Sequence, residues 1–180
     1  MIAYLNGTVL RKGGNWLIVG VENLGFKVFA APGVVLSAKV GGPIALWTHE
    51  QVREDSREFF GFASPEELEL FWKLITVSGV GPKVALALVG SSNAATVRKW
   101  VDEANVAALA EIRGVGQKTA QKIVLELKGK LTEAPGSDEA AEALIALGYS
   151  REEARGALAG VSGTSAEERV KAALRALGKR

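Results

Sequence analysis

The chain contains no cysteine and a single histidine, His49. The first absence excludes disulfides, thiol nucleophiles and cysteine-built zinc sites. The second argues against a histidine-built metal centre or a histidine-centred triad within one chain, so neither metal nor cofactor is expected. Excess charge is also missing: 22 Lys+Arg stand against 20 Asp+Glu, a formal net charge of +2. No third of the chain is strongly basic, and a nucleic-acid reading must therefore come from where the charges sit. No apolar run approaches the ~18 residues of a membrane span, and the N-terminus lacks a signal-peptide layout. A cytoplasmic protein without membrane contact is the expectation. What is present is ordinary for a globular chain: 180 residues, 48% apolar and 23% charged, which excludes wholesale disorder.

Residue patterning changes character along the chain. Up to Phe62, valines, aromatics and glycines alternate with polar residues. Ile2–Leu10, Asn15–Glu22, Gly25–Ala30, Ile44–His49 and Arg57–Phe62 read as strands. A tight turn is expected at Asn23-Leu24-Gly25. Gly13-Gly14, Pro32-Gly33 and Gly41-Gly42-Pro43 punctuate the rest. Five short strands in so few residues favour a small closed barrel, because closure removes exposed edges. Trp16, Phe26, Phe29 and Trp47 are expected to fill it, His49 to be structural, and Arg11-Lys12 to lie in a solvated loop.

At Ser64 the period becomes helical. Ser64-Pro65-Glu66-Glu67 carries a capping hydroxyl, a proline at the first helical position and a glutamate placed for a capping box. Leu68, Phe71, Trp72 and Ile75 follow at helical spacing, with Phe71 and Trp72 expected in the core. Short helical pieces run on to about Lys130. Thr132–Ser137 reads as a linker, and a small three-helix module follows, with Ser137, Ser150 and Ser165 as N-caps. A module of that size is near the lower limit for independent folding. The expected domains are 1–63, 64–131 and 138–180, with the linker at 132–137.

The most informative feature is an internal repeat. Val77-Ser78-Gly79-Val80-Gly81-Pro82-Lys83-Val84-Ala85 returns as Ile112-Arg113-Gly114-Val115-Gly116-Gln117-Lys118-Thr119-Ala120. Two glycines around one buried valine make a tight turn between helices. Such a turn presents backbone N–H groups at the start of the following helix, where unsatisfied donors and the helix dipole favour an anion. Lys83 and Lys118 add a full charge beside it, and Lys122 stands one turn further on. The pair reads as tandem helix-hairpin-helix motifs that grip phosphates on both strands of a duplex and ignore the bases. A Walker loop is excluded because Glu111 stands where its first glycine belongs. A dinucleotide fingerprint is excluded because Val84 and Thr119 occupy its third glycine position.

Barrel, paired Gly-Val-Gly-x-Lys hairpins, linker and helical module occur in that order around the run Val52-Arg53-Glu54-Asp55. The whole chain resembles the RuvA family, which binds Holliday junctions in the RuvAB branch-migration complex. The resemblance implies a multidomain α+β chain: an N-terminal five-stranded OB-fold barrel, a tandem helix-hairpin-helix domain and a C-terminal three-helix, UBA-like bundle. It implies phosphate-binding residues Gly79, Val80, Gly81, Lys83, Gly114, Val115, Gly116, Lys118 and Lys122. It also implies an acidic pin at Glu54 and Asp55, which without the family would read as a solvated turn.

The implied partners are four-way junction DNA, the RuvB hexameric ATPase motor, the RuvC resolvase in a larger complex, and further copies of the chain as a homotetramer or octamer. The chain itself would be noncatalytic. Leu144, Leu147, Leu158 and Leu174 would serve as module core or as the motor-docking face. The linker looks short for the family, and Gln117 stands where some relatives carry lysine. Two other readings need different properties. A helix-hairpin-helix glycosylase or nuclease needs a nucleophilic lysine or gathered carboxylates, and an adaptor needs no DNA at all.

Overall fold

A computed structural model describes residues 1–131, 139–158, 161 and 165–177, which divide into two compact units at 132/133. The linker 132–137 and the expected cap Ser137 lie outside the described residues.

The first unit opens with a closed five-stranded barrel: β1 (Tyr4–Lys12), β2 (Trp16–Val21), β3 (Leu24–Ala30), β4 (Pro43–Val52) and β5 (Arg57–Phe62). The strand order round the barrel is β1-β2-β3-β5-β4. All neighbours are antiparallel except β3 and β5. The β2–β3 turn is Glu22-Asn23, earlier than the glycine suggests. Glu22 takes the positive φ of 51° that the turn needs, and Gly25 pairs with Gly20 inside the ladder. Pro32-Gly33, read as a turn, instead starts a short helix, α1 (Pro32–Ser37). Proline is well placed at a helix start because its missing N–H has no partner there.

Inward-facing Leu5, Val9, Leu17, Val19, Val28, Ala30 and Leu46 form the barrel core, closed by Val35 and Ala38 from α1 and its end. Lys12 Nζ donates to the Val35 and Ala38 carbonyls at 3.1 and 2.7 Å, so this lysine caps α1 rather than lying in a loop. The expectation that aromatics fill the barrel is corrected: of the four, only Phe26 packs against its core. Trp16 and Phe29 face outward by strand alternation, and Trp47 is 38% exposed.

The outward face of β5 faces the helices. Phe60 and Phe62 are fully buried in a second core shared with α2 (Pro65–Ile75), α3 (Pro82–Ser91), α4 (Ala94–Asp102), α5 (Val106–Ala110) and α6 (Gln117–Leu127). Phe60 stacks between Phe29 and Phe71, each with ring centroids 5.7 Å away, and Phe62 meets Phe71 at 4.8 Å. Phe71 is core as expected, whereas Trp72 remains 37% exposed. Its indole N–H donates to His49 Nδ1 at 3.3 Å, which gives the histidine a structural contact between β4 and α2.

Capping follows the sequence closely. Ser64 Oγ accepts from the Glu67 amide at 3.4 Å, while Glu67 reaches back to the Ala63 amide at 2.9 Å. Asn93 and Asn105 cap α4 and α5 in the same way.

The second unit contains α7 (Glu139–Ala146), α8 (Arg151–Leu158) and α9 (Ala166–Leu177). Ser150 and Glu153 form a reciprocal capping box: the Ser150 hydroxyl and amide both donate to the carboxylate, at 2.7 and 2.8 Å. Those bonds hold the Glu153 carboxyl below its ordinary pKa, the hydroxyl contributing most. Ser165 Oγ accepts from the Glu168 amide at 3.3 Å. The core is Ala140, Leu144, Ala154, Leu158 and Ala173, with Leu174 packed against it. Of the four leucines expected as core or docking face, Leu144 and Leu158 are buried among the three helices and Leu174 is largely covered. Leu147 is 61% exposed.

α4 ends in a Schellman turn, with the Asn105 amide donating to the Trp100 carbonyl and the Ala104 amide to the Val101 carbonyl. The left-handed position, φ 54°, is held by exposed Ala104 rather than glycine. Ala104→Gly is expected to raise stability by about 1 kcal/mol, because a Cβ is strained there. Chemical denaturation of the two chains measures the difference.

Candidate nucleic-acid interface

The two repeat copies share one backbone conformation. Gly79 and Gly114 have φ of +92° and +91°. Gly81 and Gly116 have φ/ψ of −81°/167° and −82°/164° and stand as N-caps of α3 and α6. Val80 and Val115 are buried, and their amides donate back to the Val77 and Ile112 carbonyls at 3.0 and 2.9 Å. Each turn is thus pinned by an apolar side chain below and a backbone bond across.

The glycines divide by cause. At Gly79 and Gly114 the positive φ itself demands glycine. Gly81 and Gly116 have ordinary φ, and a Cβ built on either meets no atom within 4 Å. The fold therefore does not require glycine at these two caps, where serine is usually the better residue. A bare Cα there leaves room for something to approach the helix start closely.

First-turn amides have no partner within their own helix. In the second copy these belong to Gln117, Lys118 and Thr119. In the first copy Pro82 has no N–H and the Val84 amide donates to the Gly81 carbonyl at 3.0 Å, which leaves the Lys83 amide. Gln117 lacks a lysine's charge, but its amide is a donor that the first copy does not have.

The two lysines, equivalent in sequence, differ in setting. Lys83 is 68% exposed, with Nζ 3.4 Å from Glu58 Oε1 on β5 and 5.4 Å above the Phe29 ring. Lys118 and Lys122 are exposed and have no ion-pair partner among the described residues. Arg113 is also exposed, immediately before Gly114, where the first copy has Ser78. Neither Arg113 nor the Glu58 tether is among the residues expected from sequence. A basic residue flanking the turn is the available signal for Arg113. Nothing in the sequence links Lys83 to a residue of the barrel.

Glu54 and Asp55 sit at the tip of the β4–β5 hairpin, both exposed. The turn is closed by the Arg53 amide donating to the Ser56 carbonyl at 2.8 Å, directly beyond the last strand pair Val52–Arg57. Glu58 is the second residue of β5, next to Arg57. The ion pair therefore ties Lys83 to the strand that carries the acidic turn, one residue from its last strand pair. Among the described residues, no three His, Cys, Asp or Glu side chains gather as a metal ligand set. No helix there is long and apolar enough to cross a membrane.

Residues 1–61 match the family model described as RuvA N terminal domain. Residues 71–130 match SAM-like helix-hairpin-helix tandem, and 135–178 match RuvA, C-terminal domain. The chain is similar to proteins named Holliday junction branch migration complex subunit RuvA. That of Desulforamulus reducens is 40% identical, covering 97% of this chain and 95% of the relative. That of Thermoanaerobacter sp. is 42% identical, covering 99% and 100%. That of Chloroflexus aggregans is 41% identical, covering 99% of each.

The division among the glycines is testable. Gly79→Ala and Gly114→Ala are expected to lower stability by about 1–2 kcal/mol. Gly81→Ser and Gly116→Ser are expected to keep or raise it while weakening capture of a duplex DNA probe. Thermal melting and fluorescence anisotropy on the four variants separate the two effects.

Proposed function

The chain belongs to the RuvA family, and from that premise we propose that it binds four-way (Holliday) DNA junctions without sequence specificity. It holds them open and square-planar. It recruits the RuvB ATPase motor for branch migration in homologous recombination and DNA repair. The observation that carries this reading is the pair of hairpins with matching backbone angles and open N-cap glycines.

Each hairpin offers a phosphate the amides of a helix start, the positive end of the helix dipole and one lysine. No base edge is contacted by such a grip, so every sequence binds alike. Two hairpins take phosphates on opposite strands of one arm across the minor groove. A single lysine–phosphate contact is weak, and affinity comes from many held at once. Assembly as a homotetramer gives each arm its own subunit, and two such rings facing each other make the octamer.

Glu54 and Asp55 act by repulsion. Four copies of the hairpin tip around the assembly axis place like charge against the phosphates at the crossover. Arms pulled outward and a centre pushed apart favour an open junction over a stacked one. Lys83 sits close to the base of this turn and takes the phosphate nearest the centre.

The C-terminal unit docks the motor. Leu147, exposed beside the Gly148 turn and Tyr149, is the apolar contact that remains once Leu144 and Leu158 are assigned to the core. ATP hydrolysis belongs to the motor, so the chain is the noncatalytic subunit, and RuvC joins the larger complex to resolve the junction.

A four-way junction is expected to bind more tightly than a linear duplex of the same sequences at every salt concentration, and equal affinity would refute the junction claim. Lys83→Ala and Lys118→Ala are each expected to weaken binding. Each is also expected to lower the slope of log affinity against log salt by about one for every phosphate it no longer neutralises. The effect is expected to be larger at Lys118, because Glu58 already offsets part of the Lys83 charge. Anisotropy titrations across a salt series read both quantities.

A further inference from the structure

The barrel's outer surface carries a cation, set over aromatic rings, that the hairpin motifs do not include. Lys27, exposed on β3, extends its ammonium over the Trp16 ring at 5.2 Å and stands 5.6 Å from the Phe29 centroid. Trp16 is itself braced: its indole lies against the backbone of Gly13, where an added Cβ would collide with the ring. Phe29 is held from below by Phe60 and carries Lys83 at 5.4 Å. Two ammonium groups therefore share one aromatic ring, Lys27 from the barrel and Lys83 from the first hairpin.

Positive charge predominates around this platform. Arg11 on β1 and Lys27 on β3 both pair with Ile18 on β2, in one cross-strand row. Direct partners in such a row project from the same face of the sheet. The carboxylate in the cluster is Glu58, and its ion pair is with Lys83. Among the described residues Lys27 has no acidic partner; its contacts are the two rings. Cation–π contact at an exposed site contributes only ~0.5–1 kcal/mol, so it orients the ammonium without neutralising it.

We infer that Lys27 is a further DNA-backbone contact, a phosphodiester-binding residue on the barrel that continues the first hairpin's track beyond Lys83. The inference rests on the DNA-binding reading proposed above and deepens it. The helix-start amides grip one phosphate beside Lys83. Lys27, across the same ring, receives the next along the strand, and Trp16 and Phe29 keep its side chain extended toward it. Arg11, in the same row, lies further out along that path.

The test compares the full-length chain with Lys27→Gln, Lys27→Glu and Lys27→Arg, using anisotropy of a labelled four-way junction over a salt series. With one phosphate left unneutralised, Lys27→Gln is expected to bind at least about threefold more weakly near 0.1 M salt, with the salt slope smaller by about one for each such phosphate. Lys27→Glu is expected to bind more weakly still, and Lys27→Arg to keep both affinity and slope. Thermal melting of each variant shows that the barrel is intact, because Lys27 is exposed and buries nothing of its own. Wild-type binding with an unchanged affinity and slope in Lys27→Gln would overturn this inference alone. A wild-type chain that binds neither junction nor duplex would overturn the DNA-binding reading along with it.

Discussion

The stacking of Phe60 between Phe29 and Phe71 is the contact on which the arrangement of the first unit depends. The acidic turn belongs to a β-hairpin and the glycine turns belong to helices. Nothing in either element alone sets the distance between them. Buried aromatic rings do so, because each covers ~150–250 Å² and a stacked interior tolerates little sliding. Phe60 and Phe62 leave the barrel on the side opposite its own core and enter the helical core directly, with Phe71 receiving both. The barrel and the hairpins are thereby one body, in which a carboxylate of β5 can meet a lysine of α3.

Two physical demands shape the turns, and they fall on different glycines. Backbone geometry fixes Gly79 and Gly114. Gly81 and Gly116 have open space and an ordinary φ, so backbone geometry does not fix them, and on the proposed function access does. The same division runs through the cations. Lys118 and Lys122 stand in water with no ion-pair partner among the described residues, whereas Lys83 is positioned by a carboxylate and an aromatic face. Local sequence repeats faithfully, and tertiary surroundings then make the two copies unequal.

Much of this is legible in the chain without the fold. The barrel follows from closely spaced short strands, the hairpins from a repeated Gly-Val-Gly-x-Lys, and the caps from serine followed by glutamate. These are local signals with local causes. The features that escape such a reading are set by contacts across the fold. Trp16, Phe29 and Trp47 alternate as barrel-filling residues should, yet the side of the sheet they take depends on register. Pro32-Gly33 looks like a turn, and it becomes a helix because Val35 and Ala38 find the open end of the barrel. Leu144 and Leu147 belong to one helical pattern, and only packing separates the buried one from the exposed one. The pairing of Lys83 with Glu58 joins residues of α3 and β5, which no periodicity connects.

On the proposed phosphate-binding role, that pairing bears on how the first turn lets go. A cation facing only water must recover its full hydration when a bound anion departs. Lys83 has a carboxylate within 3.4 Å that can take the vacated place. Binding of a phosphate at this point would then be an exchange of one oxyanion for another, its strength the difference between two ion pairs. Such a grip is weaker at rest than an unpartnered lysine would make it, and correspondingly easier to pass from one phosphate to the next.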